Sequence, residues 1–332
     1  MEEKLKRNIV NKILKRIPAH INPIDYLVSS LQISRESVYR RMKGEVSFTL
    51  EDVLKLSSEL GFSIDGLMYP EDDKLMEEQY ALFNFRPNKT HEPQDTFFKL
   101  FSLYLKIKKD FQHSEIAEAI YTMNHIMMIS YVHFDHLLKF YFYKWTHQMN
   151  YMPFKFRLSD VTVPEKVALL QSEIKSGGLN ISNTTGLVDR YFLRNTILEI
   201  QYYYKRKLIT FEELLLIQED LFKYVDILEY VMSGEPDESG YKNDIYLCSL
   251  RVESTGMLIM CDSYEESHFW IYSGTHITTR DKKICENYKA WLNSLKKYSS
   301  LITGCNESLQ TQFIDQQREY VENIANEKYT YE

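Results

Sequence analysis

Three groups of side chains in this 332-residue sequence have types and spacings that chemistry can use. The first is the polar run Ser34, Arg35, Glu36, Ser37, Tyr39, Arg40, Arg41 and Lys43. Arg offers paired donors, Lys a point charge, and Glu and Ser offer acceptors, so the run suits a polyanion carrying readable hydrogen-bonding edges. The second is His125, His133, Asp135, His136 and His147. Imidazoles three apart on a helix, as His133 and His136 are, share a face and can ligate a metal. No HExxH motif occurs and no carboxylate matches each His at helical spacing, so no metal or other cofactor is expected, and these residues read as core or rim groups with local partners. The third is the aromatic run Phe140-Tyr141-Phe142-Tyr143-Lys144-Trp145, echoed by Tyr202-Tyr203-Tyr204. Such a run either fills a helix-to-helix core or lines a ligand pocket, and composition alone leaves both open.

The elements around the first group are short helices with legible ends. Leu5, Ile9, Ile13 and Ile17 form one apolar stripe that Pro18 terminates. Asn22 caps a second helix with Pro23 at its first position, and Ile24, Leu27, Val28 and Leu31 face inward. After Gln32-Ile33, Ser34 caps a third helix, Arg35–Lys43, which Gly44 closes. Thr49 caps a fourth with Leu50, Val53, Leu54, Leu56 and Leu60 on its apolar face, ended by Gly61. Phe62–Leu67 adds a last turn.

The run Ile33-Ser34-Arg35-Glu36-Ser37-Val38-Tyr39-Arg40-Arg41-Met42-Lys43-Gly44-Glu45, then Thr49-Leu50-Glu51-Asp52-Val53-Leu54-Lys55-Leu56 and Leu60-Gly61-Phe62-Ser63-Ile64-Asp65, resembles the phage-repressor/Cro-type (XRE-like) helix-turn-helix over about residues 5–69. It departs at Gln32, where the family favours Gly, and at Arg41, where an Ile is common; the next apolar residue after Val38 is Met42. The resemblance implies that the third helix enters the DNA major groove. Arg35, Glu36, Ser37 and Arg40 would then reach base edges, with Arg reading guanine and Glu accepting from cytosine N4. Tyr39, Arg41 and Lys43 would hold phosphates, and Ser34 with the helix N-terminus would hold another. Glu36 also suits a first helical turn on dipole grounds alone.

Charge divides the chain in the same place. Residues 1–45 hold ten Lys/Arg against five Asp/Glu, although the whole chain carries a net charge of −7. A basic end on an acidic body points to a polyanion-binding module joined to a part that does not touch the polyanion. No secretory signal opens the sequence and no apolar stretch reaches the roughly 20 residues of a membrane span, so a cytoplasmic protein with no membrane partner is expected. Cys248, Cys261, Cys285 and Cys305 have neither metal nor disulfide-framework spacing and are expected to be reduced thiols. With 11 Gly and 8 Pro, an all-β architecture is disfavoured, and no glycine pair has nucleotide-loop spacing.

Residues 70–94 read as an acidic linker with a helical piece at Lys74–Leu82. Beyond it the pattern is helical: Thr96–Phe111, a long Ser114–Met149 stripe that can break in two, Val163–Ser176, Leu187–Lys207 and Phe211–Ser233, with a polar loop at Asn180–Gly186. Past a subdivision near 235–242, Asn243–Glu253, Met257–Cys261 and His268–Tyr272 alternate as three strands of a small antiparallel meander. A helix capped by Thr279 and running to Leu301, and another capped by Asn306, carry a heptad-like seam suited to packing on the sheet or to a dimer contact. The expected fold is mainly α: a four- to five-helix head over 1–69, then a helical and α+β regulatory and dimerisation region over 95–332.

No Ser/His/Asp set lies on a strand-to-helix elbow, so no enzyme is expected. The reading is a sequence-specific DNA-binding transcriptional regulator. It acts as a homodimer on double-stranded DNA, and its C-terminal region senses a small-molecule or peptide effector or dimerises. Three alternatives are a peptide-sensing helical-repeat regulator, an enzyme recruited to DNA by its head, and an interaction scaffold whose head no longer binds DNA.

Overall fold

The computed structural model describes residues 2–18, 21–62, 64, 67, 93–115, 117–149, 152–176, 183–235, 242–262, 264–272 and 275–326. Most of the expected 70–94 linker, its helical piece included, and most of the 235–242 subdivision lie outside the described residues. The chain forms two compact units, Met1–Asn84 with Thr279–Ile284, and Phe85–Thr278 with Cys285–Glu332.

The first unit holds helices α1 (Glu2–Arg16), α2 (Pro23–Leu31), α3 (Arg35–Met42) and α4 (Leu50–Leu60). Each begins and ends where local chemistry dictates. Asn22 Oδ1 accepts from the Ile24 N–H at 2.9 Å, and Ser34 Oγ accepts from the Ser37 N–H at 3.2 Å. Thr49 and Asp52 form a reciprocal capping box. Gly61 ends α4 in the left-handed conformation that glycine adopts without a Cβ penalty (φ 67°). The stripes converge on Ile13, Leu27, Val38 and Leu56, all fully buried, with Val53, Phe62 and Leu67 around them. Fully burying a side chain of this size contributes roughly 1.5–3 kcal/mol.

The second unit corrects the mainly-α expectation. Among the described residues of the chain, 60% are helical and 15% lie in a seven-stranded mixed sheet, so the fold is mixed α/β. The strands are β1 (Ala117–Met123), β2 (Asn183–Val188), β3 (Lys242–Cys248), β4 (Gly256–Cys261), β5 (Tyr264–Tyr272), β6 (Thr275–Thr279) and β7 (Ser299–Leu301), in the order β6-β5-β4-β1-β2-β3-β7. β1, β2 and β3 run parallel, with β4 antiparallel to β1 and β7 antiparallel to β3. The expected meander survives only as the β4–β5 pair, because β1 and β2 separate β3 from β4.

Two of the parallel strands carry little strand signal. β1 falls where the sequence reads as the start of a long helix, since Ala117, Ile120 and Met123 also satisfy helical spacing. β2 falls partly on the expected polar loop, its first half being Asn183-Thr184-Thr185-Gly186. Gly186 is required there: Tyr121 lies across from it in register, and a Cβ on Gly186 would sit 2.6 Å from the Tyr121 hydroxyl oxygen. Parallel strands are joined by helical crossovers, so no hairpin turn announces them.

α5 (Pro93–Gln112) precedes the sheet; the crossovers are α6 (Met128–Tyr131), α7 (Asp135–Met149) and α8 (Glu165–Lys175) between β1 and β2, and α9 (Phe192–Lys205) and α10 (Phe211–Ser233) between β2 and β3. α11 (Lys282–Lys297) and α12 (Glu307–Glu322) flank β7. The sheet is covered on both faces, and side chains alternate between them. On one face Ala117, Ala119, Met257 and Ile259 meet Ile107 and Phe111 of α5. On the other, Leu187, Cys248, Leu258 and Met260 meet Cys285, Leu292 and Leu295 of α11. The largest core lies among α5, α7, α9, α10 and α12. The heptad seam does not operate as one interface: Trp291 and Tyr298 are exposed, and α12 packs on α9 and α10. Asp281, not Thr279, caps α11, accepting from the N–H groups of Lys283 and Ile284. Asn306 precedes α12 without a capping hydrogen bond from its side chain.

Candidate functional site

α2 and α3 are joined by a turn that sets how α3 is presented. Gln32 adopts the left-handed conformation (φ 55°, ψ 39°), which glycine takes without a Cβ penalty. Its N–H donates to the Val28 carbonyl, ending α2, and two residues later Ser34 caps α3. Val38 is fully buried and Met42 half-buried, which rotates the rest of α3 outward. Ser34, Arg35, Glu36, Tyr39, Arg40 and Lys43 are exposed and Ser37 is half-buried, its side chain bonded to Ser34.

The arginines of α3 differ in their commitments. Arg35 Nη2 lies 3.1 Å from Asp25 Oδ1 with both side chains more than half exposed, a pair that solvent screens. Arg40 Nε lies 3.7 Å from Glu45 Oε2, also in solvent. Arg41 instead turns inward: its Nε donates to Asp52 Oδ2 at 3.3 Å, with both side chains about 15% exposed. Asp52 also accepts from the Thr49 N–H, so one carboxylate ties α3 to the first turn of α4. The phosphate role expected of Arg41 therefore competes with a structural one that its sequence position does not announce. Behind α3, Tyr26 and Ser30 donate to Glu59 and Lys55 donates to the Ser30 carbonyl, bracing α2 against α4.

The histidine set is not brought together. His133 lies in the turn before α7 rather than on it, and His147 near the other end of that helix meets Tyr203 at 3.4 Å. The His136 N–H and the Leu137 N–H donate to the buried Asp220 carboxylate, which caps α7, and Asp135 is engaged by Gln171 and Lys175. No cluster of three metal-binding side chains occurs among the described residues. Cys248, Cys261 and Cys285 are buried, Cys305 is exposed, and the four are reduced.

The aromatic run answers both ways. Phe140, Phe142 and Tyr143 are buried, and Tyr143 packs edge-on to Tyr203 with ring centroids 5.2 Å apart. Tyr141 and Trp145, also nearly buried, line a cavity of about 420 Å³ together with Phe97, Tyr131, His125 and Trp270. This cavity lies at the carboxyl end of β1. There the chain passes on to β2 on one side while β4, registered Gly256 to Thr122, lies on the other.

A hydrogen-bonded rim holds the cavity's shape. Asn124 Nδ2 donates to the Glu253 carbonyl at 3.2 Å, its Oδ1 accepts from Thr255 Oγ1 at 2.8 Å, and its carbonyl accepts from Asn195. His125 Nδ1 lies 2.7 Å from Asn124 Oδ1. Burial, and secondarily the Lys144 ammonium, lower the His125 pKa to about 4, so the ring is neutral near pH 7. Lys144 Nζ donates to both Glu199 carboxylate oxygens at 2.6 Å. Sequence spacing points to none of Asn124, Thr255, Glu199 or Trp270, because they come from four separate elements that only the sheet brings together.

Among the described residues no helix is long and apolar enough to cross a membrane. Comparison of the chain with protein-family models, with curated proteins and with solved structures found no match.

Proposed function

We propose that the chain is a sequence-specific DNA-binding transcriptional regulator of the cytoplasm. Its first unit sets α3 in the major groove, and its second unit supplies dimerisation and effector sensing. The observation that carries this reading is the α2–turn–α3 geometry. Val38 anchors one side of the recognition helix, and Arg35, Glu36, Tyr39, Arg40 and Lys43 project from the other, next to a capped helix N-terminus. The local excess of basic residues supports it, because neutralising phosphates releases counterions. Arg35 and Arg40 read bases, Lys43 and Tyr39 hold backbone, and Arg41 chiefly holds α3 against α4. Two heads reading half-sites about one helical turn apart require a symmetric dimer. A seven-stranded sheet among the helices weighs against the helical-repeat alternative.

The test is selection of bound sequences from a random duplex library by the full chain, followed by affinity measurements across salt. A recovered two-fold symmetric motif, with affinity falling steeply as salt rises, is the expected result. No enriched motif and no salt-dependent retention of any duplex would overturn the reading.

A further inference from the structure

Each arginine of α3 is matched by a carboxylate from a different part of the head. Asp25 of α2 meets Arg35, Glu45 from the turn after α3 meets Arg40, and Asp52 of α4 meets Arg41. Lys43, the cation given to the DNA backbone, makes no ion pair among the described residues. Backbone hydrogen bonds fix where the two outer acids stand. The Glu45 N–H donates to the Arg40 carbonyl at 3.0 Å across the left-handed turn at Gly44 (φ 77°), and the Asp25 N–H donates to Asn22 Oδ1 at 3.4 Å. Pairs this exposed add little to stability, so their consequence lies in what the arginines can meet. Glu45 Oε2 lies 3.7 Å from Arg40 Nε and leaves both terminal nitrogens available, while Asp25 Oδ1 lies 3.1 Å from Arg35 Nη2. A guanidinium has five N–H donors and a guanine edge takes two, so an arginine can read guanine and keep its carboxylate. A phosphate instead competes with the carboxylate for the same positive charge and sets a second negative group beside it.

We propose that Asp25 and Glu45 are positioning residues that set sequence discrimination. They hold Arg35 and Arg40 for base edges and repel the phosphates that would otherwise capture both side chains. Specificity is a difference between two affinities, and a repulsive element raises it by weakening the wrong complex. The proposal rests on the regulator reading, and it adds to the DNA-contacting run two acids that lie outside it.

The experiment measures binding of the full chain, by fluorescence anisotropy across salt, to a selected operator and to a scrambled duplex of equal length and composition. Glu45→Gln and Asp25→Asn remove charge and keep shape. Each should tighten the scrambled duplex about tenfold and the operator less than about threefold. The salt dependence on the scrambled duplex should steepen by about one phosphate contact, because the released arginine takes one up. Glu45→Asp, which keeps the charge, should retain most of the discrimination. Melting temperatures should not move, since both pairs are exposed. The two pairs are independent, so if one variant does not fold the other decides. Equal tightening on both duplexes, or no change on either, would overturn the proposal and leave the regulator reading standing. An unaltered chain that does not separate the two duplexes would overturn both.

Discussion

α3 and α7 both mix aromatic with charged residues, yet they end in opposite environments. α3 buries one fully apolar position, Val38, and turns most of its polar residues to solvent. α7 buries Leu137, Leu138, Phe140, Tyr141, Phe142, Tyr143 and Trp145 on nearly all sides, and its largely buried Lys144 is met by Glu199. A surface helix advertises its orientation, since one apolar stripe has one place to go. A helix packed all round does not, because several rotations would bury it equally well. The contrast separates what binding needs from what folding needs: side chains on α3 can change without unfolding the head, and most on α7 cannot change without cost to the second unit.

The comparison breaks first at α7. Phe140→Ala should destabilise the second unit by about 3–5 kcal/mol in denaturant melts, through lost burial and an unfilled cavity. A loss under about 1 kcal/mol would mean that α7 is not the packed element described. Acidification probes the same region. His125 is held neutral in the fold, with a pKa of about 4 against an ordinary value near 6.5. Its contribution is complete above the unfolded pKa and is lost as pH falls from about 6.5 to about 4, because the unfolded chain takes up the proton first. Unfolding free energy should therefore drop over that window, and His125→Gln should flatten the slope. An identical slope in that variant would contradict the buried, neutral assignment.

On α3 the expected effects move from stability to recognition. Arg40→Ala should cost about 1–3 kcal/mol on a selected operator and relax sequence preference there, with the melting temperature unchanged. Equal weakening on all duplexes would reassign Arg40 to the backbone. Arg41→Ala should reverse the pattern, lowering head stability by roughly 1 kcal/mol through the lost Asp52 pair while preserving sequence preference. The smallest effect belongs to the caps: Thr49→Ala should cost about 1 kcal/mol of head stability, and Thr49→Ser much less.

Legibility followed the same division. Asn22, Ser34, Thr49, Gly44 and Gly61 marked the head's helix ends correctly because a cap is a contact within a few residues of itself. Gln32 takes a left-handed turn at the position where the sequence departs from the Gly favoured by the family it resembles. The resemblance placed Arg41 on phosphates and did not reveal its partner, Asp52, because Asp52 comes from the next helix. In the second unit, β4 and β5 were legible as an antiparallel pair with a tight connection, whereas β1 and β2 were not. Their hydrogen-bonding partners lie some 60 residues away in sequence, and Ala117–Met123 satisfies a helical pattern as well as a strand pattern. The question whether the aromatic run is core or pocket had no answer at that level, because Tyr143 and Trp145 lie two apart on one helix and meet different neighbours.

By itself, then, the sequence determined the head: four helices, three of them with legible N-caps, their apolar stripes, a basic bias and the residues that α3 can present. Those features rest on interactions between residues close along the chain. Tertiary structure alone decided the parallel strands at the centre of the sheet, the inward turn of Arg41, and the cavity where Asn124, His125, Thr255 and Trp145 converge. Those features depend on which distant segments pair, and the free energy that selects the pairing comes from burial shared across the whole unit.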